Sequence, residues 1–139
     1  MTRRGFTLID ALACVMVVVI LARASALTAA SLAAALRVGA ATRTLAQTMR
    51  ETRARAMAEG RALDVVFDPA TKVWRIRALD GTVRRTEPLP VPVRFVSLPA
   101  SAQIRFGSTG TAENGTIVLG ADATTGRIVV NQRGRVRLG

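Results

Sequence analysis

Two groups of charged side chains in this sequence could bind a partner of opposite charge. One is a carboxylate in an apolar stretch, and the other is a later series of arginines. Asp10 lies in the apolar segment "FTLIDALACVMVVVILA" at residues 6–22, shortly after the pair Arg3-Arg4. An ionised carboxylate in apolar surroundings costs several kcal/mol unless a cation accompanies it. The sequence therefore predicts a cationic partner for Asp10.

The later arginines alternate with other residues. Residues 127–139 contain four arginines and no acidic residue, and the spacing of Arg133, Arg135 and Arg137 predicts that they share one face of a strand. The planar guanidinium group forms paired hydrogen bonds with phosphate. The three arginines are therefore candidate contacts to double-stranded DNA, without sequence preference and sensitive to salt. The alternative interpretation is a solvated edge strand that its charge protects from aggregation.

The composition argues against catalysis. The chain has 20 Lys+Arg against 9 Asp+Glu, for a formal net charge of +11, and it has no histidine. General acid–base catalysis uses histidine most often, and the acidic residues are scattered singly rather than paired at catalytic or metal-binding spacing. We therefore expect no enzymatic activity, no cofactor and no metal. The single cysteine, Cys14, excludes an intramolecular disulfide.

A long helix is predicted to carry the apolar segment. Residues 6–27 are enough to span a bilayer, which takes about 20 residues, and Arg23 lies where a long side chain can reach water at the membrane surface. The helix then turns amphipathic over residues 28–60, where Gly60 is predicted to end it. The predicted buried face consists of Val38, Ala41, Leu45, Met49, Thr52 and Ala56.

From residue 61 the apolar residues alternate, which is typical of strands. Strands are predicted at 62–68, 72–79 and 82–87, with a turn at 68–71 and a tight hairpin at Asp80-Gly81. The segment at 88–96 is predicted to be extended, and its three prolines confine it to a sheet edge or to the start of a strand. Further short strands are predicted near 103–106, 116–119, 127–131 and 134–138. The predicted class is α+β, a long N-terminal helix packed on antiparallel sheet. The predicted core residues of the strands are Val65, Phe67, Trp74, Ile76, Ile117, Leu119, Ile128 and Val130.

The first ten residues resemble a known processing signal. Arg3-Arg4-Gly5-Phe6-Thr7-Leu8-Ile9-Asp10 resembles the class III signal of type IV pilins and type II secretion pseudopilins. The resemblance implies that a prepilin peptidase cleaves between Gly5 and Phe6 and that Phe6 becomes N-methylated. It also implies that Asp10, where the family usually has glutamate, neutralises the free amine of an adjoining subunit in the fibre.

The C-terminal half resembles one group within that family. The segments "IRFGSTGTAENGTIVL" (104–119) and "GRIVVNQRGRVR" (126–137) resemble the minor pilins that join type II secretion pseudopilin H with FimT-like pilins. That group has a Phe-x-x-x-Gly step, a Gly-Thr-Ile-Val-Leu strand and a closing Gly-Arg-x-Arg element. The corresponding residues here are 106–110, 115–119 and 134–137.

The resemblance implies the type IV pilin fold and a place for each part of it. The implied parts are a leader peptide at 1–5, a transmembrane helix half at 6–27, an amphipathic soluble helix half at 28–60 and a β-rich periplasmic domain at 61–139. The implied location is the bacterial inner membrane, crossed once with the N-terminus in the cytoplasm, which Arg3 and Arg4 favour.

The implied function is that of a minor pilin or pseudopilin subunit, which acts with other pilins in fibre assembly, priming and protein secretion. The alternative is that the chain resembles FimT-like pilins in function too, and captures extracellular DNA for natural transformation through Arg133, Arg135 and Arg137. Contacts to single strands by base stacking are disfavoured, because the chain has no tyrosine, one tryptophan and four phenylalanines.

Overall fold

The computed structural model describes residues 8–139, apart from the side chains of residues 24–28. Gly5 and Phe6, the predicted cleavage site, lie outside the described residues. Within the described part, helix α1 (Leu8–Glu59) is followed by eight strands. These are β1 (Leu63–Asp68), β2 (Val73–Ala78), β3 (Val83–Pro88), β4 (Arg94–Ser97), β5 (Gln103–Phe106), β6 (Gly115–Ala121), β7 (Thr124–Val130) and β8 (Val136–Leu138). The chain divides into two compact units, Met1–Ala33 and Ala34–Gly139.

The first unit exposes its apolar side chains. Large apolar residues between positions 8 and 21 have exposed fractions of 48% to 80%, and those at 15–21 follow one another without interruption. Because seven consecutive positions cover every face of a helix, this stretch is apolar all round. Among the described residues, no helical stretch is both long enough and apolar enough to cross a membrane. The predicted span at 6–27 also includes residues 6 and 7 and the side chains of 24–27, which are not described.

In the second unit, α1 buries the face that its sequence predicts. Val38, Leu45 and Met49 are at most 1% exposed, and the other three predicted residues of that face are buried as well. The helix ends at Glu59, and Gly60 adopts φ +62°, the left-handed conformation that glycine tolerates best at a helix end. The predicted buried face of the helix and its predicted end at Gly60 are therefore confirmed.

The predicted antiparallel strands form two four-stranded sheets. The first sheet has the order β3-β2-β1-β5, and the second has the order β4-β6-β7-β8. The predicted turns at 68–71 and Asp80-Gly81 connect β1 to β2 and β2 to β3, and Gly81 has φ +88°. The proline-rich segment leads into β4, which is an edge strand as predicted.

The hairpin between β6 and β7 differs from the prediction. β7 begins at Thr124, which pairs with Ala121, so that Asp122 and Ala123 alone make the turn. Asp122 adopts φ +50°, a conformation that aspartate reaches more readily than most residues do. Because the turn contains no glycine, the sequence pattern placed the start of this strand three residues too late, at 127.

The core lies between α1 and the two sheets. All eight predicted core strand residues are buried, and Phe67 of the first sheet meets Phe95 of the second edge to face, with ring centroids 5.7 Å apart. β7 approaches the helix so closely at Gly126 that an added Cβ would lie 2.2 Å from the Thr42 hydroxyl oxygen. The structure is an α+β fold, as the sequence predicts.

Candidate functional site

The N-terminal site residues are only partly covered by the structure. Cleavage between Gly5 and Phe6 stays a prediction, since both residues lie outside the described part. Asp10 is exposed and lies in the first turn of α1.

The C-terminal arginines lie on and beside the hairpin that joins β7 to β8; residues 131–137 are called the arginine hairpin below. The backbone N–H of Gly134 donates to the Asn131 carbonyl (2.8 Å), and that of Arg135 donates to Oδ1 of the Asn131 side chain (2.9 Å). The Asn131 N–H donates in return to the Arg135 carbonyl at 3.2 Å. Gly134 adopts φ +71°, which this tight turn requires. The turn is thus closed by three hydrogen bonds centred on Asn131.

The three predicted arginines are exposed but do not all lie on one strand. β8 begins at Val136 rather than at the predicted residue 134, so Arg137 is in the strand and Arg133 is in the turn. Arg135 and Arg137 border one groove, and Arg133 and Arg135 border a second. The structure therefore brings the arginines together in pairs, with Arg135 common to both, and neither groove is bordered by all three.

Two arginines of α1, which lie outside the predicted buried face, contact this hairpin. Nη2 of Arg50 donates to the Val136 carbonyl at 3.1 Å. Nε of Arg53 donates to the Gly110 carbonyl at 2.8 Å, and its Nη2 donates to the Arg133 carbonyl at 3.2 Å. The helix period identifies both as non-core positions but carries no information about which loop lies beside them.

Together these residues form one cationic groove, called the arginine groove below. It has a volume of about 330 Å³ and is lined by Arg50, Arg53, Gly134, Arg135, Val136 and Arg137. Its lining contains four arginines and no acidic residue. A groove of this composition attracts anions, and guanidinium groups are suited to phosphate or carboxylate oxygens.

The ion pairs of the second unit lie away from the arginine groove. Within residues 34–139, every ion pair joins an arginine of β2, β3 or β5 to a carboxylate. The arginines of the groove, and Arg133 beside it, form no ion pair in that part of the chain. No carboxylate within residues 34–139 therefore pairs with their positive charge. The net charge of +11 does not by itself predict this separation of charges.

One carboxylate of these ion pairs is buried in the first sheet. Arg105 of β5 donates two parallel hydrogen bonds to Asp64 of β1, which is 2% exposed. The hydrogen bond to Asp64 raises the pKa of Arg105 above its usual value. Nη2 of Arg77 lies 3.6 Å from the same carboxylate. This cluster lies in the first sheet, whereas the arginine groove is lined by α1 and by the arginine hairpin of the second sheet. We therefore assign the cluster a role in stability and not in the candidate site.

Comparison with known proteins gives one family and one fold. The profile of the family described as "Type II transport protein GspH" matches residues 41–134. The type IV minor pilin FimU of Pseudomonas aeruginosa is similar in structure, with a TM-score of 0.63 and 16% identity over 73% of this chain and 87% of that chain. The minor pseudopilin EpsH of the type 2 secretion system of Vibrio cholerae has a TM-score of 0.62 and 14% identity over 74% and 96% of the respective chains. No curated protein matches the sequence significantly.

Proposed function

The chain belongs to the GspH family of type II transport proteins, and we infer from this that it works as a minor pilin or pseudopilin subunit of a type IV pilus or a type II secretion system. The observation that carries the inference is the family match over residues 41–134, which includes α1 from residue 41 to its end and strands β1 to β7. The shared fold with FimU and EpsH supports it. Its partners are then other pilins or pseudopilins.

We propose that the subunit assembles through the first half of α1. The apolar side chains at 8–21 are exposed on every face of the helix, and such a surface needs apolar surroundings. Lipid provides them before assembly, and neighbouring helices provide them inside a fibre. The proposed topology is a single pass through the inner membrane at residues 6–27, with the N-terminus in the cytoplasm and the second unit in the periplasm.

Incorporation into fibres tests this proposal. Fibres sheared from cells that produce the full-length chain are expected to contain it at low abundance relative to the major subunit, as detected by immunoblot. An unrelated inner-membrane protein of the same cells serves as the control for contamination. A chain that stays wholly in the membrane fraction while fibres are abundant contradicts the proposal.

The phenotype of a strain that lacks the chain separates the two machines. Loss of exoprotein secretion with intact surface pili identifies a secretion pseudopilus, and loss of pili or of transformation identifies a type IV pilus system. Restoration by the wild-type gene is the required control. A deletion strain that secretes, assembles pili and takes up DNA normally contradicts both assignments.

DNA capture is a second candidate function, which one observation favours. Arg135 and Arg137 are exposed, border the arginine groove beside Arg50 and Arg53, and form no ion pair within residues 34–139. Phosphodiester groups supply the missing negative charge, and their contacts depend on salt rather than on base sequence. A soluble acidic protein partner is the competing occupant of the same groove.

A further inference from the structure

The side chain of Arg53 joins two loops that are far apart in sequence. Its Nε donates to the carbonyl of Gly110, in the loop between β5 and β6, at 2.8 Å. Its Nη2 donates to the carbonyl of Arg133, in the arginine hairpin, at 3.2 Å. The loops also contact each other directly, because the Ala112 N–H donates to the Gln132 carbonyl at 3.0 Å. One guanidinium group thus connects the helix to both loops.

The packing around Arg53 leaves no space for a side chain at Gly110 of one loop or at Gly134 of the other. A Cβ added to Gly134 would lie 2.1 Å from the Gly110 carbonyl oxygen and 2.5 Å from Nε of Arg53. A Cβ added to Gly110 would lie 2.7 Å from the sulfur of Met57 and 3.2 Å from Nη2 of Arg53. Glycine at both positions therefore lets the two backbones approach until the guanidinium group fits between them.

We propose that Arg53 is a positioning residue that fixes the arginine hairpin in the orientation in which Arg135 and Arg137 meet a phosphodiester backbone. The inference rests on the second candidate function, since it concerns how the hairpin is presented to DNA. Binding is tighter when the contacting groups are already ordered, because less conformational freedom is lost. Only arginine has a rigid planar fork that can donate to two carbonyls in different directions; lysine has the charge but not the fork.

The test replaces Arg53 without changing the net charge. Arg53→Lys and the control Arg55→Lys are made in the full-length chain in detergent, where Arg55 is an exposed residue of the same helix. Amide hydrogen exchange of residues 131–135 and affinity for a duplex DNA are measured on each. In Arg53→Lys, exchange of the hairpin amides is expected to accelerate about tenfold, because charge-assisted hydrogen bonds are lost. Affinity for duplex is expected to fall about fivefold at equal salt, while Arg55→Lys changes neither.

A second variant disturbs the hairpin while keeping Arg53. Gly134→Ala places a methyl group where the Gly110 carbonyl and Arg53 now lie, so it is expected to reproduce both effects. Unchanged exchange in Arg53→Lys overturns the proposal. Faster exchange with unchanged DNA affinity also overturns it, because Arg53 then stabilises the hairpin without influencing binding. If the wild-type chain binds no duplex at low salt, the second candidate function fails, and the exchange data alone then decide whether Arg53 orients the hairpin.

Discussion

Asp64 and Arg105 face each other across β1 and β5 and are joined by two parallel hydrogen bonds, of 2.7 Å from Nε to Oδ1 and 3.0 Å from Nη2 to Oδ2. Asp64 is also in register with Arg77 of β2, so its carboxylate lies between arginines on both neighbouring strands. At 2% exposure the carboxylate has given up nearly all its contact with water. Its charge is therefore tolerated only because these arginines accompany it.

Removing the main partner of Asp64 is expected to destabilise the fold. Arg105→Met leaves a buried carboxylate with Arg77 alone at 3.6 Å, and we expect a loss of about 3 kcal/mol in the free energy of unfolding. Urea unfolding of the full-length chain in detergent measures it, with the fluorescence of the single, buried Trp74 as the signal.

Arg75→Met is the matched control for that variant. Arg75 lies 3.6 Å from Asp68, and both side chains are partly exposed, at 38% and 28%. A partly exposed pair of this kind is worth about 0–1 kcal/mol. Equal losses in the two variants would contradict the special role of the buried carboxylate of Asp64.

Lowering the pH is expected to remove the stability that Asp80 contributes to the hairpin between β2 and β3. Its Oδ1 accepts a hydrogen bond from the Thr82 N–H at 2.8 Å, and this bond holds the pKa of Asp80 below its usual 3.8 in the folded chain. The contribution is therefore present above pH 3.8 and is lost as the pH falls through the folded value.

Asp80→Asn keeps the acceptor oxygen and removes the charge. The melting temperature of the variant is expected to lie below that of the wild type near neutral pH, and the two are expected to converge below pH 3.8. A constant difference across the pH range would show that the charge of Asp80 does not matter. Melting curves of both proteins at several pH values, from neutral pH to well below pH 3.8, measure this difference.

The parts of the fold that the sequence predicted are those set by local patterns. The buried face of α1 follows from helical spacing, and the turn at Asp80-Gly81 follows from the conformations that those residues tolerate. The partition into two sheets was not predicted, because β5 returns to pair with β1 while β4 joins the other sheet. That choice depends on contacts between distant segments, for which a single sequence has no spacing rule.

The same distinction applies to the candidate site. Arg135 and Arg137 were predicted from their alternation, and the structure places both on the arginine groove. Arg50 and Arg53 were missed because they lie in another element. Arg50 lies 86 residues before Val136, whose carbonyl it contacts, and Arg53 lies 80 residues before Arg133. Their position three residues apart on α1 is consistent with one face of a helix but does not identify what that face contacts.

Processing is expected at the bond between Gly5 and Phe6. Intact-mass spectrometry of the membrane-extracted chain should show a protein that begins at Phe6 with one added methyl group, if the signal is of the prepilin type. Gly5→Ala serves as the variant in which cleavage is expected to fail. A mature protein that retains Met1, or that begins between residues 22 and 26, would exclude this processing.

Asp10 is expected to matter for assembly rather than for insertion. Asp10→Ala should be inserted and cleaved like the wild type, but less of it should enter fibres, because the amine of Phe6 on a neighbour loses its counter-charge. Asp10→Glu keeps the charge and is the residue usual in the family, so it should assemble normally. Quantitative immunoblots of sheared fibres compare the three proteins. Normal assembly of the alanine variant would remove the proposed pairing.

The arginine groove is expected to bind duplex DNA weakly and with a measurable dependence on salt. For the full-length chain in detergent, the logarithm of affinity should fall linearly with the logarithm of salt concentration, by about 0.9 for each phosphate contact. Replacing Arg135 and Arg137 by alanine should make this slope shallower by about 2.

Arg43→Ala with Arg94→Ala is the control for bulk charge. Both residues are exposed and form no ion pair within residues 34–139, and Arg94 lies in β4, at the opposite edge of the second sheet from β8. A control pair that weakens binding as much as the groove pair would show that the positive charge acts diffusely. Binding to an acidic protein but not to duplex at equal salt would assign the groove to a protein partner.

The hydrogen bond from Arg50 to the Val136 carbonyl has a consequence for the order in which the second unit folds. It joins residues 86 positions apart, and the contacts of Arg53 span 57 and 80 positions. Contacts of such long range form slowly, since a large loop of chain must close first. Arg53 can meet the Gly110 carbonyl earlier, but Arg50 and Arg53 reach their partners in the arginine hairpin only after residues 133–136 have been made. A chain that stops before residue 133 therefore leaves the second sheet unfinished at β7, with an open edge available for unwanted pairing.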